Sequence, residues 1–315
     1  MRSQYVFGPV ASRRLGVSLG IDLVPSKTCS LNCVYCEAGE TDALLLERRE
    51  YVPIDEVLVQ LEKVLESNIK IDYLTFSGAG EPTLNSGIGR VVDFIKSRYP
   101  QYPVCLLTNG TLLGDPQLQN EIEKVDLVIP SLDASSQEEF DKINRPVPGL
   151  DFDSFCRGLF EYGRIRTSKV WLELFIVPDI NDSDESIARF AGIVKAFNPD
   201  KVQLNTLDRP GCVDWIKPSS RENTLRFVRA LEPFVPVEAV GPFRYKSAAL
   251  RSDINLGKID QQIIDLVSRR PCTVDDLRVA IGADEKTVKA HLDILLRSGR
   301  IQSERQPRGD FFSLA

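Results

Sequence analysis

The chain of 315 residues has a single histidine, His291, close to its far end. Imidazole is therefore scarce as a metal ligand, and a structural zinc, which usually takes four Cys or His ligands in tetrahedral array, is hard to complete. Apolar runs of membrane-spanning length are missing, and the opening stretch MRSQYVFGPVASRRLG lacks the apolar core of a secretory leader. No internal repeat stands out beyond an alternation of strand-like and helical stretches, and there is no low-complexity tract. These absences lead to the expectation of a cytoplasmic protein with no membrane partner, in a compartment that keeps thiols reduced. With 43% hydrophobic and 27% charged residues, the composition is that of a globular protein with a proper core. A net charge of −6 argues against a basic surface running over the whole chain.

What the chain does have is a knot of thiols. Three of its seven cysteines, Cys29, Cys33 and Cys36, fall within eight positions of KTCSLNCVYCEAG, with Tyr35 wedged before the last. Disulfide frameworks pair cysteines in even numbers and belong to small secreted domains. Three thiolates instead suit an iron–sulfur cluster in which three irons are held and the fourth stays open; a structural zinc loop is the competing reading. The other cysteines are scattered. Cys105 and Cys156 fall inside apolar patterns and read as core residues. Cys212, in DRPGCVDW, is a candidate thiol donor or substrate contact, with an inert loop cysteine as the alternative.

Strand signals recur at 16–24, 73–78, 103–110, 125–133, 170–179 and 200–208, with helical spacing between them, as in IDEVLVQLEKVLESN and ESIARFAGIVKAF. Six strand–helix units in a row imply a parallel α/β sheet, curled by right-handed crossovers into a barrel or a doubly wound sandwich. The polar, glycine-rich segments SGAGEPTLN, LTNGT, SLDASS and NTLDRPG fall at the strand ends, where ligands bind in such folds. Beyond about residue 255 the texture changes to three short helix candidates and two strands around a Pro/Gly turn, the pattern of a winged helix-turn-helix. The expected division is 1–250 and 255–315, joined through PFRYKSAALRSDINLG.

The spacing of Cys29, Cys33, Tyr35 and Cys36 after the first strand resembles the hallmark of the radical S-adenosylmethionine (SAM) superfamily. That resemblance implies a partial (β/α)6 barrel, a [4Fe–4S] cluster on the three cysteines, and SAM chelated by the fourth iron. It also implies an external one-electron reductant such as flavodoxin or ferredoxin, and cleavage of SAM to a 5′-deoxyadenosyl radical that abstracts hydrogen from substrate. Gly78, Ala79, Gly80 and Glu81 stand where the superfamily has a Gly-Gly-Glu-like segment that pairs with the SAM amino group; a plain turn with a solvated Glu81 is the alternative. Asn109 is then a donor to the SAM carboxylate or ribose, or simply a turn-forming Asn-Gly pair. Ser131 and Asp133 stand where ribose hydroxyls or the carboxylate bind, although Asp133 also qualifies as a helix cap. Glu173, inside the apolar VWLELFIV, must face the lumen or be neutralised, because an unpaired buried carboxylate is costly. Asn205 is similarly placed for adenine or ribose. Arg13, Arg14, Arg145 and Arg209 are expected near the rim of the active face, to hold an anionic substrate or to pair locally.

FGPVASRRLGVSLGIDLVPSKTCSLNCVYC, FSGAGEPTLN, INRPVPG and LNTLDRPG further resemble uncharacterised proteins grouped with the wybutosine-synthesis radical SAM enzymes, over roughly residues 5–215. The second cluster of those enzymes has no counterpart in the sequence. Residues 255–315 carry ten Lys/Arg against nine Asp/Glu, with Lys286, Lys289, Arg297, Arg300, Arg305 and Arg308 gathered in the last helix and hairpin. Such a module docks RNA or a peptide or protein. Two function classes stay open: a radical SAM oxidoreductase or transferase acting on a tRNA base, a peptide or a metabolite, and an iron- or redox-sensing regulator with a winged-helix output.

Overall fold

The computed structural model describes residues 4–12, 14–67, 69–208, 211–240, 243–247, 259–267, 272–281, 283–306 and 309–314. Arg13, Arg209, Arg308 and most of the expected linker lie outside them. The chain divides into two compact units, Met1–Lys246 and Ser247–Ala315. No helix among the described residues is long and apolar enough to cross a membrane.

The first unit is built on a nine-stranded sheet. Strand β1 (Val6–Ser12) runs antiparallel to β2 (Gly16–Ile21). The two-residue strands β3 (Thr28–Cys29) and β4 (Ala43–Leu44) pair with each other outside that sheet. Then follow β5 (Tyr73–Phe76), β6 (Val104–Thr108), β7 (Leu127–Pro130), β8 (Lys169–Ile176), β9 (Lys201–Thr206), β10 (Val237–Val240) and the antiparallel edge β11 (Arg244–Lys246). The spatial order is β1-β2-β5-β6-β7-β8-β9-β10-β11, and from β2 to β10 every pairing is parallel. Strands that neighbour each other in sequence order give a mostly parallel α/β sheet that steps one way, consistent with a partial barrel. The sequence signals missed β10 and the helix before it, Arg221–Leu231. The strand is four residues long with a glutamate in it, and the helix buries only Thr224, Phe227, Val228 and Leu231.

Side chains alternate across the sheet with the period of two that a strand imposes. Leu74, Phe76, Val104, Leu106, Leu172, Leu174, Val202 and Leu204 join the main core with helix residues such as Val57, Leu61, Val91, Leu159 and Phe190. Each such side chain contributes about 1.5–3 kcal/mol by leaving water. The opposite face carries a smaller apolar cluster of Leu15, Cys105, Leu127 and Ile129 with Tyr73, Leu107 and Trp171. It also carries the polar residues. Ser18 and Thr75 share a 2.6 Å hydrogen bond, and Lys201 donates to Glu238 at 2.7 Å, with its ammonium 3.5 Å from the Trp171 ring centre. Gln203 donates to the same Glu238 at 3.0 Å. Cys156, half-buried on the helix Phe152–Ile165, packs against the main core.

In the second unit, the helices Ile259–Val267, Val274–Ile281 and Glu285–Arg297 precede an antiparallel pair, β12 (Ile301–Gln306) and β13 (Gly309–Leu314). They bury a core of their own that includes Ile259, Ile263, Leu277, Val288, Leu292, Ile301 and Phe312. Cys272 is sealed into it and exchanges backbone hydrogen bonds with Phe312 at 2.9 and 2.8 Å.

Candidate active site at the carboxyl ends of the strands

The loop that follows β2 carries the three cysteines and is tied down on both sides. On one side the Gly78–Glu81 turn after β5 lies along it. Lys27 N–H donates to the Ala79 carbonyl at 2.5 Å, and Glu81 N–H donates to the Thr28 carbonyl at 3.0 Å. A side chain on Gly80 would overlap the Thr28 carbonyl, and one on Gly78, whose φ is +145°, would overlap the Asp22 carboxylate. This explains why both flanking positions are glycine and why Ala79 between them is tolerated. On the other side, Asn32 N–H donates to the Asn144 carbonyl and Val34 N–H to the Ile143 carbonyl, both at 2.9 Å. The loop after β9 also closes on it: Cys212 N–H donates to the Val34 carbonyl at 3.1 Å, and the Cys212 thiol donates to the Cys33 and Cys36 carbonyls at 3.4 Å. Cys212 thus lies against the cysteine loop, fastened to its backbone.

Cys29, Cys33 and Cys36 are free and half-buried. Burial, then the nearby Glu81, pushes the Cys29 thiol up to about 12. Burial, then Asp133, pushes Cys33 well above its ordinary range. Ligating a metal means displacing those protons, so cluster assembly and loop structure are coupled. Two amides face the sulfurs. Asn109 Nδ2 lies 3.4 Å from Cys29 Sγ and 2.8 Å from the Ser30 hydroxyl. Asn144 Nδ2 lies 3.4 Å from Cys33 Sγ and donates to Asp133 at 2.9 Å. Among the described residues no group of three or more His, Cys, Asp or Glu side chains gathers where a single ion would sit. No ready-made single-ion site is thus present among the described residues. Three free thiols on one short loop, two of them faced by side-chain amides, suit a [4Fe–4S] cluster, in which each thiolate takes a different iron.

Glu81 is buried, 2% exposed, so the solvated turn is excluded. Its carboxylate accepts from the Thr83 N–H and hydroxyl, the Thr108 hydroxyl at 2.7 Å and the Asn109 N–H at 2.7 Å. It braces the end of β5 against the end of β6. Asn109 is turned toward the cysteine loop and its Oδ1 accepts from Thr111.

Asp133 is not the helix cap; Ser136 takes that place on the helix Gln137–Ile143. The Asp133 carboxylate instead accepts from the Tyr35 hydroxyl at 2.5 Å, from Asn144, and from the Phe175 N–H at 3.1 Å. Burial pushes its carboxyl up to about 6, against the pull of the Tyr35 and Asn144 bonds. Burial and that same carboxylate hold the Tyr35 phenol well above its ordinary range, so it stays a donor. The Tyr35 ring stacks on Phe175 with centroids 3.9 Å apart and planes 10° apart.

Glu173 on β8 lies opposite Gln203 on β9 and diagonal to Asn205, whose own partner in register is Phe175. Asn205 donates to the Glu173 carboxylate at 2.9 Å, and the backbone of Ser131, half-buried, bridges to that of Glu173 from the end of β7. Arg14 corrects an expectation. It lies just before β2, at the opposite end of the strands from the rim, and its guanidinium reaches in to neutralise Glu173. Arg145 is half-buried with a left-handed φ of 45°, in the loop that borders the cysteines and beside a cavity of about 410 Å³. Asn144 and Phe175 carry geometry that no sequence signal assigned. Asn144 stood in the quoted INRPVPG segment, and Phe175 read only as an apolar strand residue.

A cysteine loop after the first parallel strand, braced by an acidic glycine turn after the next, is the arrangement of a cluster-bearing α/β enzyme. The chain belongs to the radical SAM superfamily, whose model matches residues 23–191. Members of that superfamily use a [4Fe–4S] cluster and SAM. The chain is 31% identical to a UPF0026 protein of Helicobacter pylori strain J99, over 98% of this chain and 96% of that one. It is 37% identical to a protein of Brachyspira hyodysenteriae named GTPase Obg, over 96% of this chain but only 44% of that longer one. Its fold is similar to that of a radical SAM methyltransferase from Sphaerobacter thermophilus, with a TM-score of 0.57 at 17% identity, covering 70% of this chain and 65% of that one.

Proposed function

We propose that the protein is a radical SAM enzyme that removes a hydrogen atom from a substrate held at the carboxyl ends of the strands. The observation that carries this reading is the cysteine loop itself: three free thiols, two of them faced by side-chain amides. Cys29, Cys33 and Cys36 would hold the cluster and leave one iron for SAM. Bound there, cluster and SAM supply a one-electron cleavage of SAM to a 5′-deoxyadenosyl radical. The electron comes from an external reductant of the flavodoxin or ferredoxin kind.

The chain's own residues divide the remaining work. The backbone of Gly78, Ala79 and Gly80 lines the approach to the cysteines, while Glu81 and Asn109 hold that approach in shape. Tyr35, fixed by Phe175 and Asp133, keeps the last cysteine's segment in one orientation. Ser131 and Asn205, with Glu173 held beside Asn205, would face the ribose and adenine of SAM. The second unit is a winged helix that docks a protein or peptide, as its near-neutral charge favours over RNA. The wybutosine-like segments and a cytoplasmic location belong to the same reading.

Anaerobic reconstitution followed by dithionite and SAM tests it. Iron in a four-iron ratio and release of 5′-deoxyadenosine are expected, both lost in the Cys29→Ala/Cys33→Ala/Cys36→Ala variant. Bound zinc in place of iron would refute the cluster. Iron without 5′-deoxyadenosine would favour a sensing regulator instead.

A further inference from the structure

We propose that Asn109 and Asn144 set the reduction potential of the cluster by donating N–H···S hydrogen bonds to Cys29 and Cys33. The proposal rests on the assignment of the cluster to these cysteines. The orientation of both amides is fixed by their other partners. Asn109 Oδ1 accepts from the Thr111 N–H at 3.1 Å, and a backbone N–H only donates, so Nδ2 is the atom that faces Cys29. Asn144 Nδ2 donates to the Asp133 carboxylate at 2.9 Å, so the same nitrogen is the one 3.4 Å from Cys33 Sγ. Asn144 Oδ1 is left buried without a partner, the cost of holding the amide this way round. Among the described residues no side-chain amide is directed at Cys36, so the three sulfurs are unequally supported.

Reducing an iron–sulfur cluster adds negative charge that spreads onto the ligating sulfurs. An N–H dipole aimed at a sulfur stabilises the reduced form more than the oxidised one and raises the potential. Asn109 and Asn144 act here as positioning residues, through Cys29 and Cys33, on the ease with which the cluster accepts its electron. The two amides reach the sulfurs from different walls, Asn109 from the end of β6 and Asn144 from the loop after Gln137–Ile143.

The test is a potentiometric titration of the reconstituted full chain, followed by electron paramagnetic resonance. Asn109→Ala and Asn144→Ala should each displace the one-electron equilibrium about tenfold toward the oxidised cluster, a negative shift of roughly 59 mV. The double variant should sum the two, since the amides act on separate sulfurs. Asn144 also fastens Asp133, whereas the Asn109 side chain touches no carboxylate, so the Asn109 shift isolates the N–H···S effect. Should Asn144→Ala fail to fold, Asn109→Ala decides alone. Variants that keep full iron and the parent's midpoint would overturn the proposal. Variants that fold but lose iron would also overturn it, in favour of a holding role. A parent chain that binds no iron would instead sink the cluster assignment itself.

Discussion

Asp133 gathers Tyr35, Asn144 and the Phe175 backbone onto one buried carboxylate, and burial raises its pKa to about 6. A carboxyl with a raised pKa binds its proton more tightly when folded than when unfolded. Its contribution to stability is thus fully present below the unfolded value, near pH 4, and is lost as pH climbs through about 6. A shift of about 2 units corresponds to roughly 3 kcal/mol. In urea unfolding of the cluster-free protein, Asp133→Asn should therefore gain on the parent between about pH 4 and 6, then hold a constant lead. A lead that is flat across that window would mean Asp133 titrates normally. Glu81 makes the opposite prediction about truncation. Glu81→Ala strands the Thr108 hydroxyl and the Thr83 and Asn109 N–H groups, at a cost of about 2–4 kcal/mol. Bound iron should fall with it, because the Gly78–Glu81 turn that lies along the cysteine loop loses its anchor; unchanged stability and iron would contradict this role.

At the scale of elements, Glu173 inside the apolar VWLELFIV was legible as an inward-facing position, whereas Cys105, in an apolar run, read only as a core residue. The helix-facing residues were apolar enough to mark six parallel strands, and the glycine-rich turns marked the end at which chemistry collects. Pairing across elements was not legible. Nothing near Arg14 in sequence announces that it crosses to β8, and Tyr35 and Phe175 stack although 140 positions separate them. Asn144 was hidden for the same reason: its partners Cys33 and Asp133 come from other loops. Local pattern reports which face a residue occupies, whereas partner choice is set by how strands line up. Leu15 illustrates what that alignment builds, since it precedes β2 and seals the inner cluster with Cys105, Leu127 and Ile129. Leu15→Ala should cost about 2–5 kcal/mol in denaturant unfolding, as large-to-small changes at fully buried sites do. A loss under about 1 kcal/mol would mean that the inner cluster collapses to fill the space.

At the scale of the whole molecule, each unit has its own core. A fragment of residues 1–246 should then fold, bind iron and cleave SAM without substrate at the parent's rate, while losing substrate turnover. Loss of iron from a well-folded fragment would show that the second unit contributes to the cluster site. The sequential strand order has a consequence for descent. The cysteine loop, its brace and Asp133 all arise from β2, β5, β6 and β7, and Glu173 and Asn205 from the two strands that follow. The three cysteines, the turn that braces them and Asp133 are thus written ahead of the strands that carry Glu173 and Asn205. A lineage can rework the later strands, substitution by substitution, while the three cysteines and the turn that braces them pass down unchanged.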